Sequence, residues 1–221
     1  MCIRDSRRTI PGVGAVQTRC ALAPVEVLGI DDAVELVVGT SHACARRAGG
    51  SVVCWGSNGE GELGDGTRSA AAAPVAVRDV RGAIALAAAA RQSCALVRDG
   101  TLRCWGGDVA VPIVVPGVSG IASIAGGGAE ICAVSATGDA GCTTVSPSMG
   151  PPALLASGVA SIFRDGFVDL ALPPTVPPIG GEITCMRTTT GAVSCLGDND
   201  GGQLADGTTT ARTTLAAWRL R

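Results

Sequence analysis

"CALVRDGTLRCWG", Cys94 to Gly106, sets two cysteines around a turn and a tryptophan after the second. The pattern returns along the chain as "CARRAGGSVVCWG" from Cys44, "CAVSATGDAGCTT" from Cys132 and "CMRTTTGAVSCLG" from Cys185. In all four stretches the second cysteine stands ten positions after the first, and a glycine stands six positions after it: Gly50, Gly100, Gly138 and Gly191. Successive units start 38 to 53 residues apart. Self-similarity at such a period indicates a repeat architecture in which each unit is one supersecondary element.

The spacing has a geometric meaning. Arg98, Asp99 and Gly100 fit a three-residue hairpin loop whose last residue is left-handed, a conformation glycine adopts without steric cost. Val97 then faces Thr101, and counting back in twos along both strands places Cys94 opposite Cys104. Facing residues on antiparallel strands lie ~4.5–5.5 Å apart at Cα, within disulfide reach. The same count pairs Cys44 with Cys54, Cys132 with Cys142 and Cys185 with Cys195, so each pair is expected to staple a β-hairpin. One such pair could be two reduced, buried thiols; four in one register favour disulfides. Zinc is disfavoured, because no C-x2-4-C spacing exists and His42 is the only histidine. Disulfides form in oxidising compartments, so the expected location is extracellular, at the cell surface or periplasmic.

The remainder of each unit repeats too. "WGSNGEGELGDGT" (55–67) aligns without gaps with "LGDNDGGQLADGT" (196–208). "PVAVRDV" (74–80) and "AIALAAAA" (83–90) then lead into the next cysteine hairpin, as "PVEVLGI" and "AVELVVGTSHAC" do one unit earlier. Each unit therefore reads as four short strands joined by Gly-rich turns. Four strands per unit, repeated, describe the blades of a β-propeller, and the expected fold class is all-β. Pro74 ends the alanine run before it, and no segment has a helical period.

These residues resemble the regulator of chromosome condensation repeats. That pattern has Gly, then His three positions later, a short apolar strand, Gly-x-Val-x-x-Trp-Gly, and an Asn before Gly-Gln-Leu-Gly. "GTSHACA" with Gly39 and His42, and "VVCWGSNGEGELGDGT", fit it well, and the likeness extends over Val25 to Leu220. Departures are clear. Gln92, Glu130 and Ile183 replace the histidine in later units, Thr143-Thr144 replaces Trp-Gly in the third, and the second unit passes from Trp105-Gly106 to "GDVAVPIVVPGV" without the Gly-Leu-Gly loop. The resemblance implies a seven-bladed propeller, and the cysteine-bracketed hairpin is similar to the bacterial, exported branch of these repeats. Four hairpins are too few for such a ring, so the chain is expected to represent an incomplete one, about its C-terminal half.

Residues 1–6, "MCIRDS", match nothing in the repeat and resemble the translation of a sequencing-adaptor end, so they are set aside. Residues 7–221 are then expected to hold the partial propeller, with an odd Cys20 near the start and a proline-rich, degenerate stretch over 143–182. Composition is consistent with this plan. Hydrophobic residues make up 47% of the 221 but aromatics only 2%, so the core must consist of small side chains packed closely. The net charge of −2 gives no pull towards nucleic acid or an anionic membrane. The apolar run 83–90 falls far short of the roughly 20 residues needed to span a bilayer.

The search for chemistry is short. Gly59, Gly61 and Gly64 satisfy G-x-G-x-x-G, but Asp65-Gly66-Thr67 and Pro74 follow rather than a helix, so the motif reads as a repeat turn and not a dinucleotide site. "DNDGG" (198–202) lacks the carboxylate spacing of a calcium loop and reads as a surface turn. A histidine triad would have to use His42, which occupies a structural position of the repeat, and no nucleophile elbow is present. Trp55 and Trp105 hold equivalent positions and read as packing between blades; Asp31 and Asp32 are adjacent and solvated. The expectation is no catalytic set, no metal and no cofactor, and a scaffold that binds an unknown protein partner through its loops. The resemblance implies the same, since relatives include a nucleotide exchange factor for a small GTPase and an inhibitor that binds β-lactamase. The alternatives are a propeller enzyme acting on polysaccharide, and a structural surface or adhesin repeat.

Overall fold

The computed structural model describes residues 26–165, 183–190, 193–197, 199 and 208–212. These residues form strands and turns and no helix. The first sheet consists of β1 (Ala33–Val38), β2 (His42–Arg47), β3 (Val52–Gly56) and β4 (Ala71–Ala76). The second consists of β5 (Ala83–Ala88), β6 (Gln92–Val97), β7 (Leu102–Gly106) and β8 (Val109–Val114). The third consists of β9 (Ile121–Gly127), β10 (Glu130–Ser135), β11 (Ala140–Thr143) and β12 (Ala153–Ala156). The fourth holds β13 (Val159–Asp165), β14 (Ile183–Thr188) and β15 (Val193–Gly197), with a bridge from Gly197 to Arg212 where a fourth strand belongs. Every sheet is an antiparallel meander in chain order, and the first strands β1, β5, β9 and β13 touch in succession. This is the propeller arrangement, with the sheets as blades and those first strands innermost.

The hairpin at the centre of each blade follows from the cysteine spacing. Cys44 pairs with Cys54, Cys94 with Cys104, Cys132 with Cys142 and Cys185 with Cys195. The Cα separations are 4.1, 4.1, 3.9 and 4.1 Å, slightly closer than a standard facing pair, and each pair sits at disulfide distance. In the second blade the Gly100 N–H donates to Val97 O and the Val97 N–H to Thr101 O, closing the three-residue loop expected from the sequence. Gly50, Gly100 and Gly138 all have φ near +80° to +90° (78°, 81° and 89°). A second constraint acts at the same residue. A Cβ on Gly50 would come within 2.9 Å of Gly82 Cα in the next blade, and one on Gly138 within 3.2 Å of Gly158 Cα. The loop is pressed against its neighbour because Gly50 O accepts from Ala83 N–H and Gly138 O from Val159 N–H, both at 2.9 Å.

The apolar core lies between blades. Cys44, Val52, Cys54 and Leu63 of the first pack on Ala83, Leu86, Ala95 and Trp105 of the second. Ala87, Cys94, Leu102 and Cys104 of the second pack on Ile131 and Ala133 of the third, and Cys132, Val134 and Ala140 of the third on Val159 and Ile162 of the fourth. The pairs Cys44–Cys54, Cys94–Cys104 and Cys132–Cys142 therefore stand inside blade junctions. Two local readings are refined. β4 begins at Ala71, three residues before Pro74, so the alanine run is strand; Pro74 is tolerated because β4 is the outer strand of its sheet. Residues 153–165 of the proline-rich stretch are β12 and β13, split between two blades, while 166–182 lie outside the described residues.

Candidate interaction face

Alternating strand direction sends the turns between first and second strands, and the loops between third and fourth, to one edge of every blade. The cysteine hairpins and the links between blades lie on the opposite edge. On the first edge the largest feature among the described residues is the loop 57–70, which Asn58 organises from within. Its Oδ1 accepts from Leu63 N–H at 3.0 Å, and its Nδ2 lies 3.1 to 3.2 Å from Asp65 Oδ1, Thr67 O, Thr67 Oγ1 and Ser69 O. A fully buried amide is tolerable when its polar atoms are satisfied in this way. Burial pushes the Asp65 carboxyl up, but the Thr67 backbone N–H, the Thr67 hydroxyl and the Asn58 amide outweigh it and hold the group below its usual value. Asn199 repeats the device, donating to Thr208 O and Thr210 O at the same offsets of nine and eleven residues.

The loop is clamped onto the second blade. Trp105 is fully buried beneath it and donates from Nε1 to Glu62 O at 2.8 Å. A Cβ on Gly64 would stand 2.8 Å from the indole, so a side chain there would displace the ring. Above, Asp108 N–H donates to Glu60 O and Gly66 N–H to Ala110 O, both at 2.9 Å. Arg68 reaches Asp108 Oδ1 at 3.0 Å, and Arg91 pairs with Glu60. The clamp fits because the second blade has no loop of its own here: Gly107 and Asp108, with φ of 55° and 75°, join β7 to β8 in a two-residue turn. The result is a polar, charged surface of both signs on a backbone anchored from below.

His42 lies under this face at the start of β2, and its Nε2 shares a 2.7 Å hydrogen bond with Ser93 Oγ of the second blade. Burial holds the imidazole below its ordinary pKa of 6.5, with Glu62 pulling weakly the other way. A histidine beside a serine invites a catalytic reading, but Ser93 is fully buried and out of substrate reach. Gln92, at the position of His42, instead accepts from Val145 N–H and donates to Ala129 O in the third blade. Both side chains tie one blade to the next.

The other residues singled out in the sequence fall into place around this face. Gly59, Gly61 and Gly64 lie in the loop between two strands, the wrong setting for a dinucleotide. Asp32 pairs with Arg47 at 2.6 Å, while Asp31, 3.6 Å from the same guanidinium, is solvated as expected. Trp55 is half-buried, unlike Trp105. Cys20, Gly191, Asp198, Gly202, Leu204 and Gly207 lie outside the described residues. Sequence reasoning missed Ser93 and Glu35. Glu35 accepts from Arg46 at 2.7 Å and from the Leu86 N–H of the next blade at 3.1 Å. Its equivalents Ala85, Ser123 and Ser161 show why no repeat signal pointed to it. Among the described residues no group of three or more His, Cys, Asp or Glu could hold a metal, and no helix is long and apolar enough to cross a membrane.

Comparison with known proteins agrees with this architecture. Residues 33–62, from β1 into the clamped loop, match the model of the regulator of chromosome condensation (RCC1) repeat. Human WBSCR16 superposes with a TM-score of 0.66 at 18% identity, over 86% of this chain and 54% of that one. Prp20p of Saccharomyces cerevisiae, whose structure was described with its binding to Gsp1p and histones, superposes at 0.64 and 18% identity, over 84% and 50%. Yeast RCC1 (Prp20) with Kap60 bound gives 0.64 at 17%, over 86% and 49%. The chain spans about half the length of these structures. A search of curated protein sequences finds no match.

Proposed function

We propose that this chain, which carries the regulator of chromosome condensation repeat on a propeller fold, is a scaffold that binds a protein partner through its loop face and performs no catalysis. The observation that carries the reading is the loop 57–70. Its backbone is fixed by Asn58, by Trp105 and by the interblade hydrogen bonds Asp108 N–H to Glu60 O and Gly66 N–H to Ala110 O, while the side chains of Glu60, Arg68, Arg91 and Asp108 lie at the surface, where their ion pairs add little to stability. A rigid backbone displaying polar side chains lowers the entropy cost of association. The fold neighbours support it, since Prp20p is described with Gsp1p, histones and Kap60 as partners. The polysaccharide-enzyme alternative wants carboxylates converging between the inner strands. Among the described residues, a cavity of about 320 Å³ between those strands is lined by Val37, Val38, Leu86, Ala87, Ala88, Ala125 and Gly126.

The four cysteine pairs are proposed to be disulfides, and with them we propose an oxidising compartment: extracellular, at the cell surface or periplasmic. The binding test follows from the face. Chain recovered from its native envelope is expected to bring down one protein in stoichiometric amount, and the Glu60→Ala, Arg68→Ala, Asp108→Ala combination is expected to weaken that capture with little change in thermal midpoint. Capture unaffected by the triple variant, or turnover of a polysaccharide panel, would refute the reading.

A further inference from the structure

Two neighbours in the loop 57–70 are placed very differently. Asn58 is 1% exposed, while Gly59 directly after it is exposed. Nothing in the fold asks for glycine at 59. Its φ is not left-handed, and a Cβ there would meet no atom within 4 Å. Gly61 and Gly64 of the same loop contrast with it: both have positive φ, and a Cβ would stand 2.6 and 2.8 Å from atoms of the second blade. The repeat draws the same line. Asn199, aligned with Asn58, donates in the same way to the carbonyls nine and eleven residues on, but Asp200 follows it. The asparagine folds the loop in both units; the glycine changes only the chemistry beside it.

We propose that Asn58–Gly59 is a site of spontaneous deamidation, restrained by the closed loop, and that conversion there opens the loop irreversibly. Lacking a side chain, glycine lets its nitrogen approach the preceding amide with little hindrance. The Gly59 nitrogen gives its proton to hydroxide and bonds to Asn58 Cγ. The Cγ–Nδ2 bond breaks, and Nδ2 leaves as ammonia with a proton taken from water. Water then opens the five-membered imide at one of its two carbonyls, giving aspartate or isoaspartate. The reaction has to break the bonds of Nδ2 to Thr67 O and Ser69 O, so the closed loop resists it and the open loop permits it. The product cannot restore those bonds. A carboxylate oxygen in place of Nδ2 brings negative charge, and no proton, against Asp65 Oδ1, Thr67 O and Ser69 O, which lie 3.1 to 3.2 Å from that position. A buried charge without a partner is costly. Isoaspartate also lengthens the backbone by one carbon in a loop fastened at Leu63 and Gly66. Opening by this route is independent of whether the face binds a partner.

The full, oxidised chain, kept folded in mildly alkaline buffer and compared with the same chain unfolded in guanidinium, tests this by peptide mass and isoaspartyl methyltransferase labelling. Conversion at Asn58 is expected in both states, at least about ten-fold slower in the folded one, which corresponds to ~1.4 kcal/mol or more of loop-opening free energy. Gly59→Ala, which the fold accommodates, should slow it in both states, and Asn199 should lag behind Asn58 in the unfolded chain. Equal rates in the two states, indifference to Gly59→Ala, or an Asn58 that stays intact through prolonged incubation of the folded chain would each overturn the proposal. Hydrogen exchange on the aged, folded chain then reads the consequence. Converted molecules should lose protection at the Leu63 and Gly66 amides, held by Asn58 Oδ1 and Ala110 O, while the Val97 amide of the second hairpin keeps it. Unchanged exchange at Leu63 and Gly66 would show that the loop tolerates the product, and equal loss at Val97 would show wider unfolding; either result overturns opening of the loop alone.

Discussion

The junction between the first and second blades and the junction between the second and third share their backbone plan but differ in what fills them. At the first, a long loop from one blade covers the Trp105 indole of the next, and His42 reaches Ser93. At the second, the preceding blade offers only the Gly107-Asp108 turn, the tryptophan position holds Thr143, and Gln92 clamps Val145 and Ala129. Two departures from the repeat pattern that look unrelated in the sequence are therefore one physical event. Without a loop in the second blade, an indole at position 143 would have no roof and its N–H no carbonyl. The aromatic and the loop belong to different units, but to the same junction. Buried indole contributes both its large apolar area and its hydrogen bond, and each requires the neighbouring unit.

The largest effect that would break this comparison is Trp105→Ala. It should cost about 3–5 kcal/mol, the range for truncating a buried aromatic, whereas Thr143→Ala should cost well under ~1 kcal/mol. Chemical denaturation of the two variants checks this, and similar losses would mean that the indole is not what distinguishes the junctions. The cysteine pairs sharpen the contrast from the other side, because they are common to both junctions. Removing Cys44–Cys54 or Cys94–Cys104 as Ala pairs should cost similar amounts, at most ~3 kcal/mol each for such short loops. Peptide mapping without reduction should link 44 to 54, 94 to 104, 132 to 142 and 185 to 195; a link between units would overturn the staple reading. The smallest effect is a matter of pH. His42 has a folded pKa below its unfolded value of 6.5, so the unfolded chain binds the proton more readily. Stability is then level above about pH 6.5 and falls as pH drops below it, by at most ~1.4 kcal/mol per unit, levelling off below the folded pKa. His42→Gln, which copies the second junction's residue, should remove that slope in thermal melts at pH 7, 6 and 5. An unchanged slope would place the titrating group elsewhere.

Much of the fold was legible from local spacing. Ten positions between cysteines with a glycine at the sixth specify a three-residue loop and a facing pair, because strand register counts in twos from the turn. The glycine itself was readable only in part. Its positive φ follows from the hairpin, but the close approach of Gly82 to Gly50 and of Gly158 to Gly138 involves the next blade and leaves no trace in the unit's own pattern. The candidate face was legible in outline. The alignment of 55–67 with 196–208 marked a shared loop, but not that Asn58 folds it or that Arg68 fastens it to Asp108, forty residues on.

What the sequence determined by itself is the repeating unit: four strands, the cysteine register, the Gly-rich loops and the absence of helical periods. Those properties depend on neighbours along the chain, and neighbours along the chain are what a sequence displays. Only the tertiary structure decided how one unit meets the next. It placed Ser93 beside His42, the Leu86 N–H beside Glu35 and the Glu62 carbonyl above Trp105. Each is a contact between residues 43 to 51 positions apart, made once among the described residues. Such pairs are set by how blade faces stack, a packing problem in which shape and a few buried polar partners select the arrangement, so no periodicity announces them.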